Sequence, residues 1–267
     1  MENFALRLEN VEKYFPAAHS GWRGLVQPVT RLTVPALRGI SFAVKRGETL
    51  GVVGANGAGK STLLRIVTTL LIPTRGHAEV CGFDVARAAA NVRLQIGYHT
   101  GGDACFYSRL TARENLMLFA ALNNLSARHA SQRIAELREP FHLGDILERQ
   151  VRALSTGNVH RLGLARAMMH RPSVLILDEP TRSLDPLAAA DFRRFLQREI
   201  VGAHGTTLIF ASHTLAEVEQ LAGTIAVLDD GQLLANDTLA GIKSLTGAAT
   251  LEASLETLTR RASREIQ

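Results

Sequence analysis

The order of apolar and polar segments predicts an α/β fold built on a mostly parallel sheet. Short apolar runs alternate with stretches of helical periodicity, and this alternation is typical of a parallel sheet covered by helices. A glycine-rich segment at 54–62 joins one such run to a helix, and a second run at 174–178 ends in acidic residues. Both features therefore fall at carboxyl ends of strands, where sheets of this kind bind ligands.

The N-terminal region is predicted to add a small antiparallel β subdomain. Residues 5–15 and 40–44 alternate apolar and polar side chains, as half-buried strands do. The segment between them, 16–35, contains Trp22, prolines and glycines and exceeds an ordinary connection, so we expect a loop excursion there. The sequence Asp-Asp-Gly-Gln at 229–232 indicates a β-hairpin turn.

The rest of the chain is predicted as one domain with a helical insertion. We see no internal repeat, and expect a domain over 1–240, a helical subdomain at about 102–170, and a short helical tail over 241–267. The further predicted elements are helices at 61–71, 111–122, 127–141, 155–170 and 185–201 and strands at 174–178, 206–211 and 224–228.

The segment at 54–62 reads Gly-Ala-Asn-Gly-Ala-Gly-Lys-Ser-Thr and matches the pattern G-x-x-x-x-G-K-[ST]. Its small residues let successive backbone N–H groups curl around a phosphate, and the helix N-terminus adds partial positive charge. We expect Lys60 to reach the β- and γ-phosphates and the Ser61 hydroxyl to ligate Mg²⁺. The predicted nucleotide-binding residues of this loop are Gly54, Asn56, Gly57, Gly59, Lys60, Ser61 and Thr62.

The acidic pair that ends the run at 174–178 is the second candidate site. Asp178 is expected to hold Mg²⁺, directly or through water, and Glu179 to polarise the water that attacks the γ-phosphate. Taken alone, the pair is equally compatible with a strand end followed by a solvated acidic turn. The phosphate loop earlier in the chain favours the catalytic interpretation.

The segment Leu-Ser-Thr-Gly-Asn at 154–158 precedes a helical stretch. Ser155 is suited to cap that helix, and Gly157 lets backbone approach an anion. Without context, an ordinary helix cap is the simpler interpretation. The context is its position about twenty residues before the strand that ends in Asp178.

With these motifs in this order, the chain resembles the ATP-binding subunit of ABC transporters from about Leu6 to Leu239. That family usually spells the segment at 154–158 as Leu-Ser-Gly-Gly-Gln, so Thr156 and Asn158 depart from the pattern. Ser155 and Gly157 are kept, and the resemblance implies that they contact the γ-phosphate of an ATP bound to the opposite subunit.

Further residues gain roles from the resemblance. Ser-Leu-Asp at 183–185 resembles the D-loop, which places Asp185 at the nucleotide. His213 resembles the switch histidine, which contacts the γ-phosphate and positions water, although a lone histidine at a strand end is more often a hydrogen-bonded loop residue. Tyr14 resembles the aromatic residue that stacks on adenine. Phe15 is a competitor for that role, and either ring could belong to the core.

One residue of the family pattern is missing. Members usually carry a glutamine at the third position after the segment at 96–98, where it helps to ligate Mg²⁺ and links the nucleotide to the membrane partner. This chain has Gly101 at that position. Two interpretations are open: Asp103 supplies the oxygen, or Gly101 is a flexible hinge. The hinge interpretation predicts that Asp103→Ala is nearly silent and that Gly101→Gln raises basal turnover.

The composition limits which other classes of protein the chain could belong to. Of the 267 residues 46% are hydrophobic, yet no apolar run approaches the roughly 18 residues of a membrane span, and no signal peptide opens the chain. Cys81 and Cys105 are too few for a disulfide framework, which favours a reducing cytosol, and we expect both to be buried. The net charge of +5 is scattered over the sequence, which favours a solvated surface over weak attraction to the inner leaflet.

We therefore expect an ATP-hydrolysing subunit that powers a membrane ABC exporter by ATP-driven dimerisation, with ATP and Mg²⁺ as cofactors. The expected partners are an integral membrane permease subunit and a second ATPase subunit, identical or paralogous, at the cytoplasmic face of the inner membrane; no nucleic acid is expected. The alternatives are a soluble ABC-type ATPase acting on nucleic acid or ribosomes, and a catalytically weak regulatory ATPase.

Overall fold

The computed structural model of the chain describes residues 4–16, 33–101, 106–182, 184–203 and 205–265. Most of the expected loop excursion at 16–35 lies outside these ranges, as do Asp103, Cys105 and Ser183. The strands are β1 (Phe4–Pro16), β2 (Thr33–Lys45), β3 (Thr49–Val53), β4 (Arg75–Val80), β5 (Phe83–Asp84), β6 (Ile96–Thr100), β7 (Val174–Asp178), β8 (Thr207–Ala211), β9 (Thr224–Asp229) and β10 (Gln232–Asp237). The α-helices are α1 (Lys60–Val67), α2 (Ala89–Gln95), α3 (Ala112–Leu122), α4 (Ala127–Arg138), α5 (Thr156–Ala167), α6 (Pro186–Phe195), α7 (Leu215–Leu221), α8 (Leu239–Thr246) and α9 (Leu251–Glu265).

Four N-terminal strands form an antiparallel sheet in the order β2-β1-β4-β5, which confirms the predicted antiparallel subdomain. The strand expected at 40–44 starts earlier, because its first residues pair with the end of β1. Thr33 lies opposite Pro16, and Pro35 lies opposite Tyr14. The predicted loop is therefore wrong for 33–35, which belong to β2.

The second sheet has six strands in the order β10-β9-β3-β8-β7-β6. It is parallel except for β10, which pairs with β9 through the predicted hairpin. Every residue of β3 and β8 is buried, as expected for strands covered on both faces. The register sets Asp178 beside Thr100 and Ala211, so the carboxyl ends of β6, β7 and β8 meet at one edge.

The parallel sheet separates two apolar cores. Ile176 of β7 packs in the core shared with the antiparallel sheet and α1, together with Leu6 and Leu64. The next residue, Leu177, packs in the core formed with the helices on the other face, which includes Leu116. The alternation of side chains along β7 thus joins both subdomains to the strand that carries Asp178.

Several helix ends differ from the prediction. The first helix ends at Val67 rather than at residue 71, because Thr69 has a φ of 61°, outside the helical region. The helix expected to reach residue 170 ends at Ala167, and Arg171 likewise has a positive φ. The helix from Pro186 continues past Phe195 as a π-helical segment, Leu196–Ala203.

Two further predictions concern the cysteines and the tail. Cys81 is only half-buried, so the expectation that it is buried is wrong; its φ of 52° places it in a turn after β4 rather than inside the core. The tail is helical, as α8 and α9. Among the described residues, no helix combines the length and apolarity that crossing a membrane requires.

Candidate nucleotide site

The predicted phosphate loop connects the end of β3 to the start of α1. Gly59 is the N-cap of α1 with a φ of 101°, a left-handed conformation that favours glycine. An added Cβ at Gly59 would lie 2.6 Å from the carbonyl oxygen of Ala36 in β2. An added Cβ at Gly54 would lie 2.1 Å from the carbonyl oxygen of Leu228 in β9. Backbone from both sheets therefore requires glycine at these positions.

The tip of the loop is more open. Asn56 and Gly57 are exposed, and Thr62 is half-buried in the first turn of α1. Gly57 has a φ of 86°, but an added Cβ there would meet no heavy atom within 4 Å. The tip thus presents its backbone to solvent, where a phosphate could approach it.

Lys60 is the buried cation of this loop. Its Nζ donates to the carbonyl oxygens of Gly54 at 2.7 Å and of Ala55 at 3.0 Å. Burial lowers the pKa of Lys60, and the negative charges of Glu179 and Asp178 oppose that shift. The ammonium is therefore held inside the curve of the loop, next to both acidic residues.

Ser61 and Asp178 meet although they are 117 positions apart in the chain. The Ser61 hydroxyl donates to Asp178 Oδ1 at 3.2 Å. Burial raises the pKa of Asp178, while the bond from Ser61 lowers it. A hydroxyl and a carboxylate are hard oxygen donors of the kind that Mg²⁺ prefers, so the two predicted metal ligands fit that ion.

Glu179 and His213 form a close pair at the ends of β7 and β8. His213 Nδ1 lies 2.5 Å from Glu179 Oε2, and the His213 N–H donates to the same oxygen at 3.4 Å. Glu179 has a φ of 52°, uncommon for a residue with a side chain, and its N–H donates to the Ala211 carbonyl at 2.9 Å. The chain therefore turns sharply after Asp178 and directs the glutamate towards the histidine.

Gly101 lies directly behind Glu179. Its N–H donates to the Asp178 carbonyl at 2.9 Å, and an added Cβ would lie 1.8 Å from the Glu179 carbonyl oxygen. Any larger residue would displace the backbone that carries the catalytic candidate. The structure thus gives this glycine a packing reason, whereas the effect of Gly101→Gln on turnover stays a prediction of the hinge interpretation.

Glu217 is a buried acid that the sequence analysis did not single out. It is fully buried on α7, and its Oε2 accepts a hydrogen bond from the Ser212 hydroxyl at 2.5 Å. Burial raises its pKa. The pattern Thr-Leu-Ala-Glu at 214–217 could only have indicated a capping box at a helix start.

The segment at 154–158 forms the start of α5. Ser155 is the N-cap, and its hydroxyl accepts the Asn158 N–H at 3.4 Å, which confirms the predicted cap. Gly157 lies in the first turn, and an added Cβ there would meet no heavy atom within 4 Å. No hydrogen bond or ion pair of the described residues joins this segment to the phosphate loop of its own chain.

Asp185 and Tyr14 are the remaining two residues that the sequence predicted to lie at the nucleotide. Asp185 caps α6, accepting the N–H groups of Leu187 and Ala188 at 3.0 Å, so its carboxylate has a local structural role. Tyr14 is half-buried on β1 and pairs with Pro35, next to the β2 residue that contacts Gly59. The Lys13 ammonium lies 5.4 Å from the centre of the Phe15 ring.

Two buried histidines lie between β6 and α5. The rings of His99 and His160 meet edge to face with centroids 5.6 Å apart, and an added Cβ at Gly163 would lie 2.4 Å from His99 Cε1. Burial, reinforced by His160 and Arg166, lowers the pKa of His99 to about 3. Burial also lowers the pKa of His160, so both rings are neutral at physiological pH.

The C-terminal helix reaches the same site. A cavity of about 510 Å³ is lined by the phosphate-loop residues Gly54 and Ala55, by His213, and by Glu252 and Glu256 of α9. The predicted tail therefore borders the candidate nucleotide site.

A phosphate loop, an acidic strand end and a neighbouring histidine in this arrangement agree with the family comparison. The ABC transporter family model matches residues 37–182. The chain belongs to this family. It is therefore an ATP-binding subunit of an ABC transporter, and it binds and hydrolyses ATP.

Similar proteins agree with that assignment. A daunorubicin resistance ATP-binding protein of Streptomyces coeruleorubidus is 43% identical over 220 residues, covering 82% of this chain and 69% of the relative. The ABC transporter ATP-binding protein NatA of Bacillus subtilis (strain 168) is 36% identical over 201 residues, covering 75% and 81%. Neither relative gives support to the nucleic acid alternative.

Solved structures show the same fold. An ATP-binding subunit of an ABC transporter superposes with a TM-score of 0.76 at 27% identity and covers 96% of this chain and 99% of its own. A dimeric ATP-binding cassette in a post-hydrolysis state, bound to ADP and phosphate, gives a TM-score of 0.72 at 23% identity over 88% of this chain and 98% of its own. The predicted ABC ATPase architecture is thus confirmed.

Proposed function

We propose that this chain powers a separate membrane permease that exports a small molecule, by dimerising around ATP and dissociating after hydrolysis. The observation that carries the proposal is the convergence of Lys60, Ser61, Asp178, Glu179 and His213 at one edge of the parallel sheet. The relatives of this chain include daunorubicin and linearmycin resistance ATP-binding proteins, which favours export of a toxic compound.

The binding step uses the phosphate loop. Lys60 stabilises the β- and γ-phosphates, and the backbone N–H groups of the loop and the start of α1 donate to their oxygens. Ser61 and Asp178 are the residues that would hold Mg²⁺. When bound, the ion would neutralise the charge that develops on the phosphate oxygens. Tyr14, on the strand beside the loop, is the proposed adenine platform.

The chemical step belongs to Glu179 and His213. The Glu179 carboxylate accepts a hydrogen bond from the attacking water and orients that water towards the γ-phosphate. His213 Nδ1 faces Glu179 Oε2, so its Nε2 is the nitrogen that remains to contact a phosphate oxygen. The pair thereby aligns the water with the group that it attacks.

The dimer completes the site. Ser155 and Gly157 of a second subunit contact the γ-phosphate, and Asp185 lies near the same nucleotide. The open space around Gly157 supports this, since the fold of its own chain gives no steric reason for glycine there. ATP binds the dimer more tightly than it binds the monomer, so binding favours association and hydrolysis releases it.

Cell fractionation tests the proposed membrane role. A tagged chain expressed in its native cell should sediment with membranes and be released by alkaline carbonate, as expected for a peripheral subunit on the cytoplasmic face. Ribosomal and nucleoid fractions serve as controls. Sedimentation with ribosomes or DNA in place of membranes would support the soluble alternative and contradict the proposal.

A further inference from the structure

Glu217 forms hydrogen bonds with both segments that carry the catalytic pair. Its Oε2 accepts the Ser212 hydroxyl at 2.5 Å and the Thr181 hydroxyl at 3.3 Å. Ser212 immediately precedes His213, and Thr181 lies two residues after Glu179. One buried carboxylate oxygen therefore joins the turn after β7 to the turn after β8.

The other contacts of Ser212 extend this connection. The Ser212 hydroxyl accepts the Thr214 N–H at 3.0 Å, and the Ser212 N–H donates to the Val52 carbonyl of β3 at 3.2 Å. The backbone on both sides of His213 is thus fixed through a single serine. Glu217 determines where the hydroxyl of that serine lies.

A purely local role for Glu217 does not fit the geometry. Threonine followed by glutamate three residues later is the capping-box pattern, yet the Thr214 side chain makes no cap hydrogen bond. The Glu217 carboxylate instead contacts Ser212 and Thr181. It therefore contributes to tertiary structure more than to the start of α7.

Stability alone also gives a weak reason for the residue. Glu217 is fully buried, and its Oε1 has no hydrogen-bond partner among the described residues. Burying a carboxylate with an unsatisfied oxygen is unfavourable. A requirement for precise positioning explains the acid more simply.

We propose that Glu217 is a positioning residue for ATP hydrolysis, holding Ser212 and Thr181 so that His213 and Glu179 meet. It touches neither the nucleotide nor the attacking water, and it acts through the pair. This inference rests on the proposed roles of Glu179 and His213.

The first experiment compares Glu217→Ala with Glu217→Gln. The alanine variant loses the acceptor, and its kcat should fall by about 10- to 100-fold, the scale of a misplaced catalytic group, with the KM for ATP changed less than about twofold. The glutamine variant keeps an oxygen acceptor for both hydroxyls and should recover most of the kcat. Glu219→Ala, an exposed acid of the same helix that pairs with Lys243 at 3.8 Å, is the matched control and should leave kcat unchanged.

A double-mutant cycle with His213→Ala then tests whether Glu217 acts through the pair. We expect Glu217→Ala to lower kcat little further once His213 is removed. Fully additive losses would overturn the proposal, as would a Glu217→Ala kcat equal to that of Glu219→Ala. If Glu217→Ala does not fold, Ser212→Ala and Thr181→Val each remove one donor and should lower kcat without raising KM. Unchanged kcat in both would also overturn it.

The two proposals fail in different ways. Full ATP turnover by the Glu179→Gln protein would reject the catalytic role of the Glu179–His213 pair and, with it, the proposed function of that site. If turnover depends on Glu179 but is not changed by Glu217→Ala, only the positioning role is rejected.

Discussion

The phosphate loop and the first turn of α5 both place glycine at the start of a helix, yet only the first is explained by contacts within the chain. At Gly59 an added Cβ would lie 2.6 Å from the Ala36 carbonyl oxygen, whereas at Gly157 it would meet no heavy atom within 4 Å. The φ of Gly59 is 101°, and Gly157 lies within a regular helix.

The difference separates two reasons for glycine. The conformation of the phosphate loop is stabilised within its own chain, by backbone packing and by the hydrogen bonds of Lys60. In the first turn of α5, by contrast, no contact within the chain requires glycine. We infer that the phosphate loop acts within its own subunit and that α5 acts in its partner.

The largest effect is expected from Glu179→Gln. The change keeps the shape of the side chain but removes the carboxylate that orients water, so turnover should fall by about 100-fold or more. ATP-driven dimers should persist, because neither the phosphate loop nor α5 is altered. Steady-state ATPase assays and sedimentation with ATP measure both effects. Turnover at the wild-type rate would exclude Glu179 from the catalytic role.

Gly157→Asp tests the proposed contact between the first turn of α5 and the nucleotide of the partner subunit. The new carboxylate would face the γ-phosphate held by the partner, and like charges in an interface cost several kcal/mol. The affinity of the ATP-bound dimer should fall by about 100-fold or more while monomers still bind ATP. Lys60→Ala is the complementary variant and should weaken nucleotide binding to the monomer itself. ATP-dependent dimers of Gly157→Asp at wild-type concentrations would contradict the model of a shared site.

Gly101→Ala and Gly157→Ala apply the same substitution to a glycine that is packed against backbone and to one that is not. At Gly101 the methyl group meets the Glu179 carbonyl, and overpacking of this kind costs about 1–3 kcal/mol, so both unfolding free energy and turnover should fall. At Gly157 the methyl group meets open space, and alanine in a helix is more stable than glycine by about 0.5–1 kcal/mol. Urea unfolding of both variants measures the difference. Equal losses of stability would remove the distinction.

The last prediction concerns the buried histidines between β6 and α5. The folded-state pKa of His99 is about 3, below its unfolded value of 6.5, so the unfolded chain binds the extra proton first. Stability from the neutral ring is present above pH 6.5 and is lost as pH falls from 6.5 towards 3. Between these limits His99 should contribute a slope of about 1.4 kcal/mol per pH unit.

Urea unfolding from pH 4 to 6 of the wild type and of His99→Gln measures that contribution as a difference in slope. His129→Gln, at an exposed position of α4, is the matched control. Identical slopes for the wild type and His99→Gln would show that the ring is not held neutral.

The sequence by itself determined the phosphate loop, the acidic strand end and the order of the core elements. Residues 54–62 match a known glycine-rich pattern, and apolar runs such as 174–178 indicate strands. The hairpin at 229–232 and the Ser155 cap were predictable for the same reason. For the hairpin and the cap, the physical cause lies within a few neighbouring residues.

Only the tertiary structure decided the contacts that tune the site. Gly101 is required by the Glu179 carbonyl, and Glu217 joins Thr181 to Ser212. The early start of β2 depends likewise on pairing with β1. These residues look permissive or locally explained in the sequence, because their partners lie in other segments of the chain. Parallel strands bring such segments together only after the sheet has formed, since the register of a parallel sheet is set by non-local pairing and not by neighbours in sequence.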